Sequence, residues 1–177
     1  MSKHATPPGA DVGIVDDYEA LHAAFRWHVP DDFNIAEACC ARWARERPDA
    51  VALRCELEAE PGGVTLHTYG ELQRDANRLA NALARLGVRR GDRVAIVMPQ
   101  RFETPVAHFA IHQLGAVSMP LSMLFGPDAL EYRLNDSGAR VAIVDESAID
   151  SMLAVRPRCA GLRTLLAVGA AQGRGDL

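Results

Sequence analysis

The chain has 177 residues, enough to bury one substantial core. Its 49% apolar and 24% charged content are those of a soluble globular protein. A net charge of −4 argues against nucleic acid or an anionic membrane surface as the main partner, and no run approaches the roughly 18 apolar residues of a membrane span.

Residues 1–15 read as a loose tail without the apolar stretch of a signal peptide. This tail holds Lys3, the only lysine among nineteen basic residues; the rest are arginine. Residues 16–27 fit a short helix with Tyr18, Leu21 and Phe25 on one face, and 29–32 a linker. Asn34 and Glu37 have the spacing of a capping box, which predicts a helix to Glu46, before Pro48, with Ile35, Cys39 and Trp43 as its apolar side. Val51–Glu56 and Val64–Thr68 read as two strands around the turn residues Glu60-Pro61-Gly62-Gly63. Thr68 and Glu71 form a second Thr-x-x-Glu box. It opens a helix whose stripe is Leu72, Ala76, Leu79, Ala80, Leu83 and Leu86, ended by Gly87.

Residues 91–124 organise the remainder. The unbroken apolar run 94–98 fits a strand covered on both faces. Phe102, Val106, Phe109, Ala110, Gln113 and Leu114 then recur at helical spacing, and Gly115 supplies a left-handed cap. Residues 116–119 form a second apolar run, closed by Pro120. Strand, helix and strand within this length make a βαβ unit with a parallel pair. Gly126-Pro127-Asp128 starts another helix, running to Asn135 or Asp136 and capped at Gly138. Residues 141–144 read as a third buried strand, 147–153 as a helix and Thr164–Val168 as a further strand.

Few residues invite chemistry. His108 and His112 stand four apart on a predicted helix, a metal-ligand spacing, but no third ligand accompanies them and ordinary helix histidines are the plainer reading. Cys39 and Cys40 lie on an amphipathic helix and read as packing thiols. With Cys55 and Cys159 they match neither a zinc knuckle nor a disulfide framework, so reduced thiols and a cytoplasmic location are expected. The segment 169–175 is glycine-rich but lacks the Gly-Lys-Ser/Thr of a phosphate loop and the spacing of a dinucleotide fingerprint, and reads as a flexible end. Within it, Arg174-Gly175-Asp176 spells an adhesion tripeptide that chance explains. Asp75, Asp92, Asp128, Asp136 and Asp145 are scattered and read as solvated or capping residues. The residues alone describe a parallel α/β domain without a catalytic constellation.

Three stretches carry a resemblance: FNIAEACCARWARERPDAVAL (33–53), TYGELQRDANRLANALARLGVRRGDRVAIVMPQ (68–100) and LGAVSMPLSMLFGPDALEYRLNDSGARVAIVD (114–145). In this order they resemble the N-terminal region of AMP-forming acyl-CoA synthetases, in the adenylate-forming superfamily. The acetyl- and medium-chain acyl-CoA synthetase branches are the most similar. Residues 18–33 are similar to the lead-in of that branch.

The resemblance implies an α/β fold: an incomplete N-terminal domain of the adenylate-forming fold, with a largely parallel βαβ sheet flanked by helices and a small hairpin. It implies a tail and lead-in helix at 1–32 and a partial domain at 33–177. Full-length members use ATP, Mg²⁺ and CoA. Their phosphate loop, approximately Thr-Ser-Gly-Thr-Thr-Gly-x-Pro-Lys-Gly, is expected just beyond Leu177, and their catalytic lysine further on. No catalytic residue, metal ligand or bound cofactor is therefore assigned to this chain. The segment matching Ser122 to Gly126 borders the CoA path in the acetyl-CoA synthetase branch, which makes Leu124, Phe125 and Gly126 candidate CoA-path residues. Family arginines that meet CoA phosphate shortly after the strand at 141–144 have no counterpart in the sequence Asp145-Glu-Ser-Ala-Ile-Asp150.

The leading expectation is the front portion of an acyl-CoA synthetase, inactive as 177 residues alone, whose substrates would be a carboxylic acid, ATP and CoA. A second is a truncated gene product or a non-catalytic module that binds a partner, or a second copy of itself, through uncovered apolar faces. A third is a small nucleotide-binding domain.

Overall fold

The computed structural model describes residues 17–28, 30–56, 63–171 and 173–177. The chain divides into two units, residues 1–33 and 34–177. In the first, helix α1 (Tyr18–Ala24) is capped by Asp17, whose carboxylate accepts the Ala20 N–H at 3.0 Å. No residue of α1 is buried; Tyr18, Leu21 and Phe25, read as one face, are exposed.

The second unit is built on a parallel sheet of four strands: β3 (Arg93–Val97), β4 (Val117–Pro120), β5 (Val141–Asp145) and β6 (Thr164–Val168), in the order β4-β3-β5-β6. An antiparallel hairpin of β1 (Val51–Glu56) and β2 (Val64–Thr68) stands apart from it. The Glu60–Gly63 turn residues fall largely outside the described residues.

The alternation of β3 and β5 sorts the core into two layers. Ala95, Val97, Ala142 and Val144 pack with Leu130 and Leu134 of α5 (Pro127–Ser137) and Ile149, Met152 and Val155 of α6 (Ile149–Val155). Val94, Ile96, Val141 and Ile143 pack with Ala80 and Leu83 of α3 (Tyr69–Arg85) and Ala107, Ala110 and Ile111 of α4 (Glu103–Gln113). A strand covered on both sides needs apolar residues at every position, which is why these runs are continuous. A third, smaller cluster of Cys40, Leu72 and Val106 lies under the hairpin.

Both predicted caps of α3 form. Glu71 N–H donates to Thr68 Oγ1 at 3.2 Å, and the Glu71 carboxylate accepts the Thr68 N–H at 2.9 Å. Gly115 has φ +65° and closes α4: its N–H reaches His112 O, and Ala116 N–H reaches Ile111 O at 3.1 Å.

Four expectations need correction. The helix after Asn34 contains a π-helical turn, Glu37–Ala41, and its buried residues are Ala36 and Cys40, while Ile35 and Cys39 are exposed. The wider turn changes which side chains face inward, and the small ones fit against Leu72 and Val106. The Asn34 box is half formed. Asn34 Oδ1 accepts from Ala36 and Glu37, but the Glu37 carboxylate pairs with Arg45 instead of returning to the cap. Helix α4 is buried on Ala107 and Ile111 as well as on the predicted Val106 and Ala110, because it lies between the sheet and α3 and so has no single apolar stripe.

The fourth correction concerns the glycine-rich segment. Asp176 N–H donates to Leu165 O at 2.9 Å, Ala167 N–H donates to Leu177 O at 3.0 Å, and the Asp176 carboxylate accepts the Leu165 N–H at 2.8 Å. Residues 175–177 therefore lie along the outer edge of β6. A Cβ on Gly175 would stand 2.6 Å from Leu165 O, so the close approach requires glycine. Arg174 pairs with Asp150, and Asp176 with Arg156. The tripeptide is explained by edge protection: each member makes a contact that holds the strap.

Candidate functional site

In a parallel sheet of this order, the chain leaves β3 in one direction and returns to β5 on its other side. The loops after β3 and β5 part at this switch point, the usual place for a ligand in open α/β sheets. Arg101 follows β3, Glu103 opens α4, and Asp145 ends β5. Arg101 Nη1 lies 2.6 Å from Asp145 Oδ2, and Arg101 Nε 2.7 Å from Glu103 Oε2. Asp145 also accepts the Ser147 N–H at 2.9 Å and the Ser147 hydroxyl.

Asp145 is 3% exposed, which corrects its reading as a solvated or capping carboxylate. Burial pushes its carboxyl up, but hydrogen bonds from Ser147 and Arg101 outweigh that and hold it below the usual carboxylate range. Hydrogen bonding to Arg101 holds Glu103 low, and the same pairing raises Arg101. The cluster ties the ends of two adjacent strands together. Sequence reasoning missed it, although a charged residue ending a wholly buried strand is the signal that marks it. The other four aspartates behave as expected where contacts are described: Asp92 accepts the Arg89 N–H at 2.8 Å in a turn, and Asp75 pairs with Arg78 on the surface.

The edge strand β4 leads into the loop that carries Leu124, Phe125 and Gly126. Leu121 N–H donates to Ile96 O at 2.8 Å and fixes its start. Leu124 is 93% exposed. Phe125 packs partly against the core, with the Arg133 guanidinium 4.1 Å above its ring. Gly126 is the N-cap of α5 with φ −69°, and a Cβ placed there would meet nothing within 4 Å. Neither backbone conformation nor crowding demands glycine at 126, so the space beside it is open. A groove of about 580 Å³ lies between Arg54 and Cys55 of β1, Gln100 and Arg101 after β3, and Pro105 and His108 of α4.

His108 Nδ1 and His112 Nε2 each lie 3.0 Å from the Ser118 hydroxyl of β4. One hydroxyl can donate to one neutral ring and accept from the other. Burial lowers both imidazoles below the ordinary histidine value, and the neighbouring His112 ring adds to this for His108. Among the described residues, no three His, Cys, Asp or Glu side chains converge to hold a metal ion. All four cysteines are free; burial pushes the Cys40 thiol up to about 11, which leaves it a packing group. Cys39, read with it as a packing thiol, is exposed. No helix among the described residues is long and apolar enough to cross a membrane.

An α/β domain with a parallel sheet and an open C-terminal strand edge is one of several ligand-binding classes, and comparison with known proteins narrows it. Residues 40–173 match the model of the AMP-binding enzyme family, and the chain belongs to that family. It is 38% identical over 120 residues to an acetyl-coenzyme A synthetase of Phycomyces blakesleeanus, covering 68% of this chain and 18% of that protein. An acetyl-coenzyme A synthetase of Yersinia pestis (strain Pestoides F) is 35% identical over 132 residues, covering 75% of this chain and 20% of its own. Among solved structures, the anthranilate CoA ligase AuaEII in complex with anthranoyl-AMP superposes with a TM-score of 0.70 and 27% identity, over 80% of this chain and 26% of that one. A Brucella canis acyl-CoA synthetase shares the fold with a TM-score of 0.74 at 24% identity, over 89% of this chain and 29% of its own. The chain thus spans about a fifth of the length of the curated relatives it matches.

Two outcomes check this geometry. Arg101→Gln leaves Asp145 buried without its cation and is expected to cost on the order of 3 kcal/mol in urea unfolding. Glu103→Gln, at a half-exposed position, should cost under about 1 kcal/mol. Equal losses would show that the Asp145 link is not the important one. For the histidines, lowered folded-state values mean the unfolded chain binds protons first. Their contribution is whole above the ordinary value of about 6.5 and is lost as pH falls through it. Melting temperature should therefore drop between pH 7.5 and 5.5, and His108→Gln should flatten that drop; an unchanged slope would rule the pair out as its source.

Proposed function

We propose that this chain is the front portion of an acyl-CoA synthetase. The complete enzyme would activate a carboxylic acid in two steps. The carboxylate attacks the α-phosphate of ATP, giving acyl-AMP and pyrophosphate. The CoA thiolate then attacks the acyl carbonyl and AMP leaves. The observation that carries this reading is the family match across residues 40–173, on a fold that superposes on an anthranilate CoA ligase with a TM-score of 0.70.

Within that reaction the chain's own residues act as a scaffold. The Arg101–Asp145 link holds the switch point rigid. The loop after β4 offers an open, side-chain-free position at Gly126 beside exposed Leu124, which supports its assignment with Phe125 to the CoA path. The sequence contains no lysine-bearing phosphate loop, and the described side chains form no metal site, so ATP and Mg²⁺ would be held by other parts of the synthetase. Exposed Val51 and Leu66 of the hairpin, together with Leu124, are then surfaces that those parts would cover, in preference to a second copy of this chain. A free-standing nucleotide-binding domain is disfavoured, because the sequence holds neither the Gly-Lys-Ser/Thr of a phosphate loop nor a dinucleotide fingerprint. Four free cysteines, two of them buried, agree with a cytoplasmic setting.

The purified 177-residue chain should show no carboxylate-dependent exchange of pyrophosphate into ATP; measurable exchange would refute the reading. In a synthetase carrying this segment, Gly126→Leu should raise the KM for CoA several-fold and leave the exchange half-reaction unchanged. Loss of both together would remove Gly126 from the CoA path.

A further inference from the structure

We propose that the opposite edge of the sheet, where the strands begin, carries a site for a phosphate-type dianion. Val94 of β3, Val141 of β5 and Thr164 of β6 are register partners across three adjacent strands. The residues one step earlier, Arg93, Arg140 and Arg163, therefore form a row at the mouth of the sheet, with strands about 4.8 Å apart. All three line a cavity of about 100 Å³ together with Val88 and Asp92, at the end of the turn that follows α3.

The charge balance of this edge is one-sided. The segments 88–93, 139–140 and 159–163, which lead into the three strands, hold five arginines and one carboxylate, in a chain whose net charge is −4. The carboxylate, Asp92, is already engaged by the Arg89 N–H. Arg93 is engaged through Nε with Ser137 O at 2.6 Å and through Nη1 with Gly91 O at 3.1 Å, two neutral acceptors. Among the described residues, the guanidinium groups of Arg140 and Arg163 have neither a hydrogen-bond acceptor nor an ion-pair partner; only their backbones pair, Arg163 N–H with Arg140 O at 2.8 Å. Aligned like charges repel, and a dianion between them removes that repulsion while accepting charge-assisted hydrogen bonds. The planar guanidinium fork matches the oxygen spacing of phosphate. The small cavity suits a single phosphoryl group better than a chain of residues or a flat ring system. The site lies at the opposite strand ends from the switch point and does not depend on the acyl-CoA synthetase reading.

Calorimetric titration of the chain with sodium phosphate, at constant low ionic strength set with chloride, should give saturable one-to-one binding. The double variant Arg140→Gln/Arg163→Gln should weaken it roughly tenfold or more. A control with the same charge change, Arg78→Gln/Arg174→Gln, should not. Equal weakening by the control, or binding matched by chloride, would overturn the proposal. AMP and pyrophosphate separate the sources: monoester binding as tight as phosphate assigns the site to a terminal phosphoryl group, and binding of the free ions alone assigns it to inorganic phosphate. A second measurement needs no variant. Phosphate should shield Arg140 and Arg163, but not Arg78, from phenylglyoxal, read by mass spectrometry. Absent or uniform shielding would overturn the site even if the double variant failed to fold.

Discussion

The parallel pairing of β3 with β5 is the constraint on which this structure depends. A parallel pair cannot be joined by a tight turn, so the chain must cross over through helices, and those helices must cover both faces. Every residue from Val94 to Val97 and from Val141 to Asp145 is buried as a result. The alternation within each strand then assigns Val94 and Ile96 to α3 and α4, and Ala95 and Val97 to α5 and α6. Small alanines at 95 and 142 face the side where α5 and α6 supply large leucine, isoleucine and methionine side chains. On the other face, valines and isoleucines meet the alanines of α4.

The same arrangement separates the chemistry of the two strand edges. At the C-terminal edge, a buried Asp145 must be compensated, and Arg101 and Ser147 supply the partners. That link costs desolvation on both sides, and it ties the two loops to each other. At the N-terminal ends of β3, β5 and β6, five arginines lead into the strands against one carboxylate, Asp92. A sheet that places paired charges and Gly126 at one end and unbalanced positive charge at the other has two unlike surfaces, of which only the first faces the loops that belong to the proposed synthetase chemistry. The free edge of β6 is closed by residues 175–177, so the sheet is blunted on that side by its own chain.

Much of this fold was legible because its signals are local. The Thr68–Glu71 box, the Gly115 and Gly138 caps, Pro127 at the first turn of α5 and the apolar strands all follow from a few adjacent residues, and each is found within one or two positions of where the pattern places it. The family was legible as well, from the order of three stretches none of which is decisive alone; the match over residues 40–173 shows it. Less was legible where two elements share a helix. The face of α4 was misread because α3 covers the side that a surface helix would leave wet, and the face of the helix at Cys40 because a π-helical turn shifted it by one residue.

The sequence by itself determined the class of the domain, its elements and its family, because hydrophobic period, caps and turns are written in neighbouring residues. Tertiary structure alone decided which distant groups meet. Arg101 and Asp145 are 44 residues apart in the chain yet 2.6 Å apart in space, and His108, His112 and Ser118 converge only because α4 folds back over β4. The row of Arg93, Arg140 and Arg163 exists only once three strands are in register. Contacts of this kind depend on the strand order, which no local pattern specifies, and they are where the site's electrostatics are set.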